Sequence, residues 1–148
     1  MFLAIIGGAL LKLPIGAAIA VGLVATLLHW LSEAWHQLGH AWAARRTGHP
    51  MTGVRLWGVL STSVYPADEG PLPARVHVRR ALGGPAASLL LTLAAGGVAL
   101  ALRGAPGGLR APTLFLFLEN LFVFTLQALV PLGFNDGATL RHWLREER

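Results

Sequence analysis

Two histidines, His36 and His40, stand four residues apart in Trp35-His36-Gln37-Leu38-Gly39-His40, at the end of a long apolar stretch. On a helix, imidazoles at i and i+4 lie on one face and reach one metal ion without bending the backbone. In the His-Glu-x-x-His arrangement the intervening glutamate takes a proton from water on the metal. Here that position is Gln37, and an amide cannot accept a proton at neutral pH. The spacing is that of a metal site, and its base is missing.

Catalytic zinc takes three protein ligands and keeps a position for water, so two histidines leave it one short. The chain has no cysteine, and the third ligand has to come from His, Asp or Glu. Asn135-Asp136-Gly137, just after Pro131, offers a carboxylate at the end of a different apolar run. A carboxylate at membrane depth is costly, and function is its default reading. The alternative is that Asp136 caps the tail helix, with Gly137 in the first turn. Glu33 lies one turn before His36 and Gln37 and reads as a partner that orients a histidine, or as an ion-pair residue, before it reads as a substitute base. Asn135 is a second outer partner. His29 reads as a hydrogen-bonded structural residue, His49, His77 and His142 as solvated, while Glu119 and Asn120 have no assigned role.

The elements that must position these residues are apolar. Of 148 residues 54% are hydrophobic and only 13% charged, with a mean hydropathy of +0.57, which does not suit a soluble surface. The net charge of +5 does not indicate nucleic acid, because the arginines sit at the ends of apolar runs and are not interleaved with aromatics. The expected fold is an all-α membrane protein forming one domain over 1–148. It has three transmembrane helices, or four membrane segments if 1–14 is counted, and a short membrane-associated β-hairpin between the first two. Residues 1–14 read as a re-entrant or interfacial segment, interrupted by Lys12 and Pro14. Span 1 covers 15–47, since about 20 apolar residues suffice to cross a bilayer, and Gly48-His49-Pro50 ends it. The β-branched and aromatic stretch 51–65 reads as one or two strands. A polar loop and a basic collar follow, then span 2 over 81–103, a Gly/Pro turn, span 3 over 113–131, and a charged tail over 135–148. The five tryptophans suit interfacial anchoring.

With three spans, nine basic residues (Arg45, Arg46, Arg55, Arg75, Arg79, Arg80, Arg141, Arg145 and Arg148) fall on one side and three (Lys12, Arg103 and Arg110) on the other. The positive-inside rule makes the richer side cytoplasmic, with the C-terminus and the metal residues toward it. The expected location is a prokaryotic cell membrane, as a multi-pass protein.

These stretches together resemble the site-2 protease family of intramembrane zinc metalloproteases. His36-Gln37-Leu38-Gly39-His40-Ala41 with Ala43-Ala44-Arg45-Arg46-Thr47-Gly48 is similar to the family's HELGHA…AARRxG helix, Gly84-Pro85-Ala86-Ala87-Ser88 to its GPxxN segment, and Pro131…Asn135-Asp136-Gly137 to its PxxxxDG segment. The resemblance implies Zn2+ held by His36, His40 and Asp136. It also implies hydrolysis of a peptide bond in a transmembrane protein or peptide substrate, within the lipid bilayer. Val59, Leu60 and Ser61 are then candidate substrate contacts, where an unwound segment adds to a strand edge. Ser88, which stands where the family has asparagine, is a further candidate.

By that reading Gln37 leaves a chain that binds zinc and turns over slowly or not at all. Either the protein is a natural pseudoprotease that grips transmembrane segments, or the glutamine replaces a native glutamate. Retention of all three candidate ligands favours the replacement. A membrane metal-binding or transport protein is the third alternative. Three spans offer little surface for both packing and a sealed cavity, which makes a homo-oligomer an expected partner state.

Overall fold

Helix α1 spans Ile15–Arg46 and opens directly after Pro14, whose missing N–H costs nothing at a helix start. It closes on a glycine cap. Gly48 takes φ +80°, its N–H reaches the carbonyl of Arg45 at 3.1 Å, and His49 N–H reaches that of Ala44 at 3.3 Å. A computed structural model describes residues 13–104 and 108–146 of the chain. The expected segment at 1–14 therefore lies, but for residues 13 and 14, outside the described residues.

The stretch after α1 is a hairpin of β1 (Gly53–Trp57) and β2 (Leu60–Val64), antiparallel, with Gly53 opposite Val64 and Trp57 opposite Leu60. Gly58 at φ +60° occupies the first central position of the two-residue turn, where the primed turns of tight hairpins require a positive φ. Helix α2 runs Ala74–Ala101 and is prolonged by one 3-10 turn, Leu102–Gly104. It begins at Ala74, ahead of the expected start at residue 81, because Pro73 opens it and the Gly83-Gly84-Pro85 stretch is absorbed into the helix.

The third apolar run is helical in two hydrogen-bond registers. Helix α3 covers Arg110–Glu119, and the backbone then widens to a π-helix over Asn120–Gln127. The change of register has a local cause: Asn120 turns its amide back onto the Leu116 carbonyl at 2.9 Å, competing with the backbone ladder, and also donates to Ser32 Oγ at 2.8 Å on α1. Helix α4 follows over Asp136–Glu146.

Two helices, those beginning at Ile15 and Ala74, are long and apolar enough to cross a membrane. Only 17% and 22% of their most apolar 18-residue windows are buried against the rest of the chain, which leaves leucines such as Leu27, Leu31, Leu90 and Leu93 more than half exposed. The interior is small and polar instead: Ser32, Ser88 and Asn120 are the largest fully buried side chains. Close approach of α1 and α2 follows from Gly39 and Gly83, where a Cβ on either would lie 2.9 Å from the other's carbonyl carbon. Trp35 Nε1 donates to the Ala87 carbonyl at 2.7 Å across the same crossing.

Candidate metal centre

Glu33, His36, Gln37 and His40 occupy one face of α1, as positions three and four apart must, and all four are buried. The Nε2 atoms of His36 and His40 approach to 3.1 Å, and Asp136 Oδ2 lies 3.3 Å from the first and 3.4 Å from the second. The three form a group able to hold a metal ion. Tetrahedral bonds of about 2.0–2.1 Å, as zinc makes to N and O donors, would set ligand edges at roughly 3.3–3.4 Å. The observed triangle fits.

Each donor is aimed by a neighbour. His40 Nδ1 donates to the Arg80 carbonyl at 2.8 Å, which leaves the Nε2 lone pair for the metal side. That carbonyl belongs to the helical turn just before Pro85, whose ring cannot donate to the carbonyl of Ala81 and crowds it. His36 Nδ1 lies 2.9 Å from Ser88 Oγ. Gly84 packs against both rings, and a Cβ there would collide with both Nε2 atoms and lie 2.7 Å from His36 Cδ2. Only glycine leaves that space open.

Asp136 comes from the far end of the chain, and Asn135 delivers it. Asn135 Oδ1 accepts the Ala138 N–H at 3.2 Å and so caps α4, while its amide faces the carbonyls of Gln127, Ala128 and Val130 at 3.1, 3.2 and 2.7 Å. It also accepts the Leu132 N–H at 3.1 Å. The cap is thus Asn135 and not Asp136, which frees the aspartate to face the histidines.

Gln37 Oε1 accepts from Ser63 Oγ at 2.9 Å, and Glu33 accepts from Ser61 Oγ. The described partner of Glu33 is therefore β2 and not a histidine. A cavity of about 300 Å3 opens beside these groups, lined by Glu33, His36, Gln37 and His40, by Leu60 to Ser63, by Val123, Phe124 and Gln127 of the π-helix, and by Asp136. It far exceeds the ~10–15 Å3 that one water needs. Leu60 and Ser61 line it, whereas Val59 and Ser88 do not: the Val59 carbonyl lies 2.6 Å from His29 Nε2, and Ser88 is buried beneath His36. His29 Nδ1 meets Glu119 Oε1 at 2.9 Å, which gives those two residues a shared structural role.

Near the start of α2, Arg80 is buried and donates to Glu69 at 2.8 and 2.6 Å and to the His49 carbonyl at 2.6 Å. Its guanidinium lies 4.0 Å from the centre of the Tyr65 ring. The hydrogen bonds from Arg80 hold the Glu69 carboxyl below its ordinary pKa, and burial raises the Tyr65 phenol above its own. Reading the sequence assigned no role at this site to Ser63, Tyr65 or Arg80, and marked Gly84 only as part of the GPxxN-like segment. One signal was available: Ser61 and Ser63 alternate on one face of a strand, as Glu33 and Gln37 do on a helix.

Comparison with protein-family models, curated proteins and solved structures gives no match.

Proposed function

We propose that the chain is the core of an intramembrane zinc endopeptidase, held in a catalytically impaired form by Gln37. The observation that carries the proposal is the triangle of His36 Nε2, His40 Nε2 and Asp136 Oδ2, with edges of 3.1 to 3.4 Å, sharing one cavity with Gln37. The spacing motif and the two later segments quoted above supply the family reading. In it the third apolar run is a third span, the bundle sits in a prokaryotic cell membrane, and the arginine-rich side is cytoplasmic.

His36, His40 and Asp136 would hold the ion. Zinc, when bound, supplies an acidified water with a pKa near 7 and polarises the scissile carbonyl. The chain's own groups do the rest. His40 and His36 are oriented through Nδ1 by the Arg80 carbonyl and Ser88, so that both Nε2 atoms stay available. At position 37 a glutamate Oε would take the proton that hydrolysis releases and pass it to the leaving amine, and Ser63 would steady that carboxylate as it now steadies the amide. Gln37 can accept the Ser63 hydrogen but no proton. An opened substrate segment would lie along β2, whose second edge carries no strand among the described residues, with Leu60 and Ser61 facing the cavity.

The test is Gln37→Glu in purified protein, assayed on membrane-embedded peptide substrates, with His36→Ala as control. Cleavage should rise by about 10²–10⁴-fold, the usual worth of general-base catalysis, and His36→Ala should remove the zinc. A zinc-loaded Gln37→Glu protein that stays inert on a range of transmembrane substrates would favour the pseudoprotease reading, in which the site only grips the segment. Absence of bound metal in both forms would defeat both readings.

A further inference from the structure

On the flank of α1 away from the metal cavity, the crossing of α1 and α2 leaves a second cleft, of about 680 Å3, whose lining shares no residue with the first. Gly39 and Gly83 make its floor, because two glycines in backbone contact leave no side chains to fill the groove. Trp35, Trp42 and Leu90 wall it, all largely exposed, and Arg45 stands at one end. Arg46 stacks on Trp42 at 4.8 Å beside that end. No acidic side chain lines the cleft, and neither arginine is ion-paired among the described residues.

Length and charge select the occupant. From Arg45 to Trp35 is ten residues of helix, or about 15 Å of rise, which is the hydrocarbon depth of one leaflet in a ~30 Å core. One acyl chain laid along the glycine floor, with its headgroup at Arg45, matches that depth and that charge. A basic end on an apolar slot between membrane helices is the pattern that binds anionic headgroups. Trp42, one helical turn from Arg45, places that end at the interface.

We propose that this cleft binds one anionic phospholipid, its acyl chain along the Gly39–Gly83 floor and its phosphate on Arg45. The site is separate from the metal centre, and the inference rests on the membrane part of the reading above, not on the protease part.

The test uses the full chain in mild detergent with equal amounts of phosphatidylglycerol and phosphatidylcholine of matched acyl chains, read by native mass spectrometry. One phosphatidylglycerol should be retained per chain, at least tenfold over phosphatidylcholine. Arg45→Glu should abolish the preference, and Ala86→Trp, at an exposed position on the rim, should fill the slot and release both lipids. Neither variant touches the metal cavity, and an unchanged far-UV circular dichroism spectrum and thermal midpoint report that each is folded. Equal retention of the two lipids overturns the proposal, as does a preference that survives both substitutions. A dimer that excludes lipid and is broken by Ala86→Trp would assign the cleft to a second copy and overturn it as well. A chain that stays soluble without detergent overturns the membrane reading together with this one.

Discussion

At the candidate metal centre each of the three donors is held by a group outside the set: Arg80 and Ser88 hold the two rings, and Asn135 holds the turn that carries Asp136. Asn135 serves both sides of one break, giving its amide to the carbonyls that end the third helical run and its oxygen to the Leu132 N–H of the connecting loop and the Ala138 N–H of the first turn of α4. The carbonyls and the Ala138 N–H are groups a helix end leaves unsatisfied. Truncation to Asn135→Ala removes all of these bonds together and lets Asp136 wander. Metal affinity should fall by about 10–100-fold, the range for losing an outer partner of a ligand, as measured by competition with a chromophoric chelator. Asn135→Asp keeps the acceptor but not the amide donor, and it should fall between. Unchanged affinity in Asn135→Ala would show that Asp136 is placed by other means.

Between elements, the hairpin is joined to the helices through its serines and its turn. Ser61 and Ser63 of β2 reach Glu33 and Gln37 of α1, and the Val59 carbonyl meets His29, which also meets Glu119 at the end of α3. Each His29 ring nitrogen thus faces an acceptor on a different element. Removing that bridge by His29→Ala frees the turn while leaving the metal donors untouched. Amide exchange across Gly53–Val64 should quicken by about tenfold for each ~1.4 kcal/mol of local stability lost. Metal content should not change. In a Gln37→Glu background the same substitution should lower cleavage, and full activity there would remove the hairpin from substrate binding.

For the whole molecule, Arg80 is a buried charge whose counter-ion lies in the loop before α2. Glu69 is held below its ordinary pKa by the hydrogen bonds that Arg80 donates, and His49 Nδ1 lies 3.7 Å from the same carboxylate. Because the folded pKa is depressed, the stabilisation is fully present above the ordinary carboxylate range and is lost as pH falls through the lower, folded value. The midpoint of thermal unfolding in detergent should therefore drop in acid, below the range where free carboxylates titrate. Glu69→Gln should flatten that part of the profile and lower the midpoint at neutral pH, since it leaves a buried guanidinium without its partner. An identical pH profile in Glu69→Gln would show that the ion pair contributes nothing to the folded state.

Read alone, the chain discloses two histidines at the helical spacing of a metal site, a carboxylate on another run, an apolar composition and a strand-forming stretch between helices. All four are local: i and i+4 share a face, β-branched residues suit a pleat, and Gly or Pro end what they cannot continue. Contacts over long sequence separations leave no such trace. That Ser88 lies beneath His36, and that the Gly84-Pro85 stretch sits inside a helix against both imidazoles, were decided by packing between elements. The convergence itself belongs to that class. His36 and Asp136 are 100 residues apart in the chain and 3.3 Å apart in space, and only a crossing tight enough to need glycine at positions 39 and 83 brings α1 and α2 together beside them.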